Sequence, residues 1–130
     1  MPKRHVVHIT GDGSFFMNFK EVATAAEYKL PIISVIFNNN TLGMVRQWQS
    51  VFYENRYSST DMNKKMDYIK IAEGFGAKGF KCETLEEFEK VFENALKEKV
   101  PVWIECVINK DLKVLPMIPS GGTVEDIILN

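Results

Sequence analysis

The chain has no apolar run near the roughly 18 residues that cross a bilayer. Its first residues, MPKRHVVHITGDG, begin basic but lack the apolar core and small-residue cleavage site of a secretory signal. Net charge is nearly absent as well: 16 Lys and Arg stand against 17 Asp and Glu, a formal balance of −1. That removes the electrostatic case for nucleic acid or an anionic membrane as partner. Cysteine is scarce. Cys82 and Cys106 are not spaced as a CxxC, and both fall on predicted strands. They read as buried free thiols in a reducing compartment rather than as a disulfide or metal pair. The nucleotide fingerprints GxGxxG and GxxxxGK(S/T) do not occur, and there is no internal repeat, linker or low-complexity segment. What remains is one cytoplasmic, soluble domain of 130 residues, 45% hydrophobic and 25% charged, with enough apolar material for a core.

What is present alternates. His5–Thr10 is a short β-rich run that Gly11 ends. Phe15–Tyr28 carries apolar residues at three and four spacings, which predicts a helix with Ser14 as its cap. Pro31 closes it, and Ile32–Phe37 (IISVIF) predicts a strand buried on both faces. A short helix is expected over Leu42–Gln49, then a polar, aperiodic loop over Ser50–Lys65, long enough to suggest a lid. Asp67 caps a helix to Gly74, and a strand follows at Gly79–Cys82. Thr84-Leu85-Glu86-Glu87 is a capping box opening a helix to about Glu98. Val100–Ile108 is a second buried strand, and the tail ends in a helical turn or two. The order predicts an α/β fold: an open, mostly parallel sheet with helices on both faces.

In such sheets ligands sit beyond the carboxyl ends of the strands, at a topological switch point. Gly11-Asp12-Gly13 ends the first strand and Asn38-Asn39-Asn40 ends the second. If those strands are near neighbours, one carboxylate and several amide and carbonyl oxygens converge, a set suited to a hard cation such as Mg²⁺ or Ca²⁺. Mg²⁺ is usually held by one or two carboxylates together with phosphate oxygens and water. A helix N-terminus behind the cation attracts phosphate, and the glycines let a bulky anion approach the backbone. The chemistry predicts a metal-bridged diphosphate site. Taken singly, GDG and a strand-end Asn are common turn residues. His5 and His8, three apart on a strand, face opposite sides and make no metal pair.

GDGSF followed some two dozen residues later by NN resembles the thiamine-diphosphate signature. GDGSFFMN, NNNTLGMVRQWQ, FYENRYS and VLPMIPSGG together resemble the C-terminal, diphosphate-binding domain of acetolactate synthase catalytic subunits, in register over nearly the whole chain. The resemblance implies a partial thiamine-diphosphate-binding fold, with residues 1–130 forming the C-terminal part of that domain. It implies Asp12, Asn39 and the Thr41 carbonyl as Mg²⁺ ligands. Gly11, Gly13, Ser14, Gly43 and Met44 are implied against the cofactor, and Trp48, Ser120 and Gly121 at the substrate pocket. Packing roles for Met44 and Trp48, and a capping role for Ser120, are the competing expectations. The loop over Ser50–Lys65 and the PMIPSGG tail are expected to be mobile or misplaced when cofactor and partner domains are absent. The activity implied for the parent is condensation of two 2-ketoacids (pyruvate, or pyruvate with 2-oxobutyrate) with loss of CO₂, in branched-chain amino acid biosynthesis. FAD in the full-length enzyme, the remaining N-terminal domains of the same subunit, a homo-oligomer and a regulatory small subunit are implied as well. The activating glutamate of this family lies in another domain, so no catalytic acid or base is expected here and the chain alone is expected to be inactive. A different thiamine-dependent carboligase or decarboxylase, and a non-catalytic binding or assembly domain, are the alternatives.

Overall fold

The computed structural model describes residues 4–62 and 66–129. Four strands, β1 (Val6–Gly11), β2 (Ile32–Asn38), β3 (Lys78–Cys82) and β4 (Val102–Val107), form one all-parallel sheet in the order β1-β2-β4-β3. The helices are α1 (Asp12–Asn18), α2 (Val22–Glu27), α3 (Gly43–Phe52), α4 (Tyr68–Gly74) and α5 (Leu85–Ala95).

Side chains alternate across the sheet, so each central strand feeds two cores. Ile36 and Trp103 face Phe15, Val22, Tyr68 and Ala72 of α1, α2 and α4. Ile33, Val35, Val102, Ile104, Cys82 and Cys106 face the other way, toward α5 and its Ala95, Phe88, Val91 and Phe92. The expected open parallel sheet with helices on both faces is therefore the observed one. Ile33, Ile36, Val102 and Ile104 are almost wholly removed from water, and each contributes about 1.5–3 kcal/mol by burial.

Several local expectations shift. The long helix over Phe15–Tyr28 is two helices joined by a 3₁₀ turn at Phe19–Glu21, because Asn18 leaves the helical region at φ −139°. Asn is a poor helix-interior residue, since its amide competes for backbone groups. Ser14 is not the cap: the helix begins at Asp12, and Gly11 holds the cap position without a side-chain bond. The helix predicted over Leu42–Gln49 runs instead to Phe52, taking the start of the expected loop. Phe37, expected buried, is 42% exposed. Asp67 caps α4 by accepting from the Lys70 N–H at 3.0 Å, and Thr84 caps α5 by accepting from the Glu87 N–H at 3.2 Å, as the sequence suggests. Helix α5 stops at Ala95, short of Glu98. The last turn of the tail is a 3₁₀ turn at Val124–Asp126, capped by Thr123.

The predicted lid is tied down at its far end. The Thr60 carbonyl accepts from the Leu42 N–H and the Thr41 hydroxyl, each at 2.8 Å, and the Met62 N–H donates to the Asn40 carbonyl at 2.9 Å. Residues 63–65 of that loop lie outside the described residues. Among the described residues no helix is long and apolar enough to cross a membrane.

Candidate functional site

β1 and β2 lie side by side with Gly11 opposite Phe37, so the GDG turn and the asparagine run leave the sheet at the same level. They are consecutive neighbours. The condition for Asp12 and the asparagines to converge is therefore met.

Asp12 is the first residue of α1 and only 3% exposed. Burial pushes its carboxyl pKa above the ordinary aspartate value, opposed by the backbone N–H groups of Gly13 and Asn40 and reinforced weakly by Glu105. Its Oδ2 is buried without a hydrogen-bond partner among the described residues. A buried acceptor left unpaired costs about 1–3 kcal/mol, so such an atom points to a ligand. Neighbouring Tyr68 has its hydroxyl pushed up to about 12, first by burial and then by Asp12 and Glu105.

The asparagine run is built as a frame. Asn38 Nδ2 donates to Glu105 Oε1 at 2.6 Å inside the sheet, and Asn38 Oδ1 accepts from the Asn40 N–H at 3.0 Å. Asn39 Oδ1 accepts from the Thr41 N–H at 3.1 Å, which fixes the amide and leaves one lone pair on that oxygen. Asn40 sits at φ +53°, a left-handed conformation that Asn tolerates. A Cβ on Gly43 would lie 2.9 Å from Asn39 Nδ2, so only glycine leaves that amide where it is. We expect Glu105→Leu to lower stability by about 1–3 kcal/mol by stranding the Asn38 amide, and Glu105→Gln, which keeps an acceptor, to lose much less. Urea midpoints check this; equal losses would show that the bond to Asn38 is not what matters.

One cavity of about 420 Å³ is lined by Gly11, Asp12, Gly13, Ser14, Asn39, Thr41, Gly43 and Met44. The eight residues that the resemblance places against cofactor and cation thus share one space. Trp48, Ser120 and Gly121 do not line it. Trp48 packs edge-to-face on Phe52 at 5.4 Å and is 37% exposed, while Ser120 and Gly121 are exposed in the tail. A larger cavity, about 550 Å³, runs along β1 past His8, Phe15 and Trp103. It follows the flank of the edge strand up to Thr10 and Ser14, and Ser14 also lines the Asp12 cavity; among the described residues this flank is uncovered, with Val6 51% and Ile9 67% exposed.

The opposite wall comes from residues to which the sequence reading assigned no role. Lys113 and Val114 line the same cavity, Lys113 supplying a positive side chain. They are held by α3. Gln47, 4% exposed, donates to the Val114 carbonyl at 3.0 Å and accepts from the Val114 N–H at 2.7 Å. Arg46, 7% exposed, pairs with Asp111 at 2.8 Å and Asp61 at 3.5 Å, with its guanidinium 3.9 Å from the Tyr57 ring centre. The hydrogen bond that Arg46 donates to the Asp111 carboxylate holds Arg46 above its usual pKa. Asp111 and Val114, just before the PMIPSGG segment, are therefore fastened to α3, and Met117 within it is paired with Ile128. Gln47→Leu is expected to cost about 1–3 kcal/mol and to speed amide exchange at Val114. Unchanged exchange there would contradict the clamp.

The buried carboxylate with a free oxygen, the fixed amide, the Thr41 backbone and a nearby lysine fit a hard cation bridging a diphosphate. A parallel α/β sheet with helices on both faces and a cavity at its strand ends is of the doubly wound class, in which ligands bind at that end. The family model described as thiamine pyrophosphate enzyme, C-terminal TPP binding domain, matches residues 1–106, and the chain belongs to that family. It is 38% identical over 98% of its length to the probable acetolactate synthase large subunit of Methanocaldococcus jannaschii, of which it covers 21%. It is 39% identical over 99% of its length to the acetolactate synthase large subunit of Haemophilus influenzae, covering 23%. Among solved structures, the thiamine diphosphate-dependent 4-hydroxybenzoylformate decarboxylase of Rhodococcus jostii RHA1 superposes with TM-score 0.76 and 32% identity, over 83% of this chain and 20% of that one. The chain spans about a fifth of the length of the curated relatives it matches.

Proposed function

We propose that the chain supplies the cation-and-diphosphate end of a thiamine-diphosphate site in an acetolactate synthase catalytic subunit. The observation that carries this is the buried Asp12 Oδ2, without a partner among the described residues, in a cavity shared with Asn39 and Thr41. Asp12, Asn39 and the Thr41 carbonyl would hold Mg²⁺, whose ligand distances are about 2.1 Å. Gly11, Gly13, Ser14 and Gly43 allow the diphosphate close approach, Met44 packs beside it, and Lys113 adds positive charge. When bound, thiamine diphosphate supplies the carbon nucleophile that 2-ketoacid chemistry requires. This chain's residues bind and orient it and exclude water from its diphosphate.

The uncovered β1 edge and the fraction of the relatives' length spanned support further polypeptide as partner: other domains of the subunit, and a second copy across the active site. Trp48, Ser120 and Gly121, outside the cavity in the chain alone, would reach substrate only when those parts close over it. FAD and a regulatory subunit would belong to those other parts, and the setting would be cytoplasmic. The test mixes the chain with the complementary portion of an acetolactate synthase large subunit, thiamine diphosphate, Mg²⁺, FAD and pyruvate. Acetolactate formed only on mixing supports the reading, and turnover by the isolated chain would sink it. The fold match to a 4-hydroxybenzoylformate decarboxylase favours a second reading, a 2-ketoacid decarboxylase. Aldehyde in place of acetolactate as the product would select it.

A further inference from the structure

The cysteines stand apart from this site. Cys82 and Cys106 are register partners at the carboxyl ends of β3 and β4. Their Sγ atoms are 3.4 Å apart, and the two residues are 3% and 8% exposed. Both thiols are free. They line a cavity of about 330 Å³ whose other walls include Phe37, Leu85, Phe88 and Ile108. Phe37 and Ile108 also line the Asp12 cavity, so the two spaces are neighbours divided by a common wall.

Two sulfurs in contact, fixed by a β ladder and opening on an apolar space, make a preorganised bidentate donor set. Sulfur donors select soft ions over the hard cations that oxygen donors take. We propose that Cys82 and Cys106 form a two-sulfur chelating site for a soft thiophile of the trivalent arsenical class, with the organic substituent in the adjoining apolar cavity. The chemistry needs no oxidant. An arsenic–oxygen double bond gives way to two arsenic–sulfur bonds, both thiol protons leave with the oxygen as water, and arsenic stays trivalent. Burial pushes both thiols up, Cys106 to about 12, which keeps thiolate scarce at neutral pH. Simple alkylation, which requires thiolate, is therefore slow here. Chelation has the advantage that the second bond forms within one molecule, at high effective concentration.

Phenylarsine oxide is the probe. Intact-mass analysis of the native chain should show one phenylarsenic group gained and two hydrogens lost, with no uptake of iodoacetamide under the same conditions. A dithiol should reverse the adduct at concentrations where a monothiol does not. Cys82→Ser and Cys106→Ser should each weaken uptake about 100-fold or more, because each leaves a single sulfur. Cys→Ala variants serve if a serine variant fails to show the native thermal transition. Failure of the native chain to take up the probe, uptake confined to the urea-unfolded chain, or retention of tight uptake in the single variants would each overturn the proposal.

Discussion

Replacing Asp12 with asparagine is expected to abolish Mg²⁺-dependent binding of thiamine diphosphate and, at the same time, to stabilise the metal-free chain. Both effects come from one atom. Oδ2 is buried without a partner among the described residues, and burial raises the Asp12 pKa, so the metal-free fold holds its proton more tightly than the unfolded chain does. Stability of the native sequence should therefore fall as pH rises from the ordinary aspartate value of about 3.9 through the raised folded value. Below that window Asp12 is protonated in both states and its charge contributes nothing. The asparagine variant lacks this titration. Its advantage should be absent at low pH, appear across the window and stay constant above it. Thermal melts from acid to neutral pH in EDTA check the stability half, and titration with Mg²⁺–thiamine diphosphate the binding half. A variant less stable at neutral pH, or one that keeps Mg²⁺-dependent binding, would contradict the assignment.

The largest loss of stability is expected at Gly79. A Cβ there would lie 2.6 Å from the Ile69 Cα and 3.0 Å from its carbonyl oxygen, both backbone atoms of α4. No side chain can swing away to make room. α4 must move off β3, and with it Tyr68 and Ala72, which pack under Trp103 and Ile36. Gly79→Ala should cost about 3 kcal/mol, the upper end for overpacking, and lower the melting temperature by roughly 10 °C at this chain length. Gly11→Ala is the control, since nothing lies within 4 Å of a Cβ there. Equal melting temperatures for the two variants would refute the close-packing argument.

How far the sequence reached is instructive. IISVIF and VWIECV are short, continuous and rich in β-branched residues. Such runs specify central parallel strands, because a strand covered on both faces tolerates little else. Once β1 and β2 are neighbours, GDG and NNN must meet, and the cavity at Asp12 follows. The break at Asn18 was less visible, since three- and four-residue apolar spacing continues across it. Ser14 looked like a cap because a hydroxyl before a helical pattern usually is one, whereas here Asp12 opens the helix.

The far wall of the cavity was not legible at all. Gln47 and Arg46 lie on an exposed-looking amphipathic helix, and their partners, Val114 and Asp111, are more than 60 residues away. Polar pairs at that separation leave no periodic trace. Asn38 had a signal, as the first residue of a run of three, but its partner Glu105 sat in a strand whose apolar neighbours hid it. A carboxyl group inside an otherwise apolar buried run was the available clue.

The most direct test of the central claim replaces Mg²⁺ with Mn²⁺ and reads the amide resonances of the isotopically labelled chain in the presence of thiamine diphosphate. A paramagnetic ion broadens the signals nearest to it. Asp12, Asn39 and Thr41 should broaden first and together, with Gly13 and Gly43 close behind, while Val6, Lys78 and Val102 at the amino ends of the strands broaden least. Broadening should also disappear in Asp12→Asn. Mn²⁺ that broadens other residues first, or acts equally on the native and Asp12→Asn chains, would show that the cavity at the ends of β1 and β2 is not the cation site.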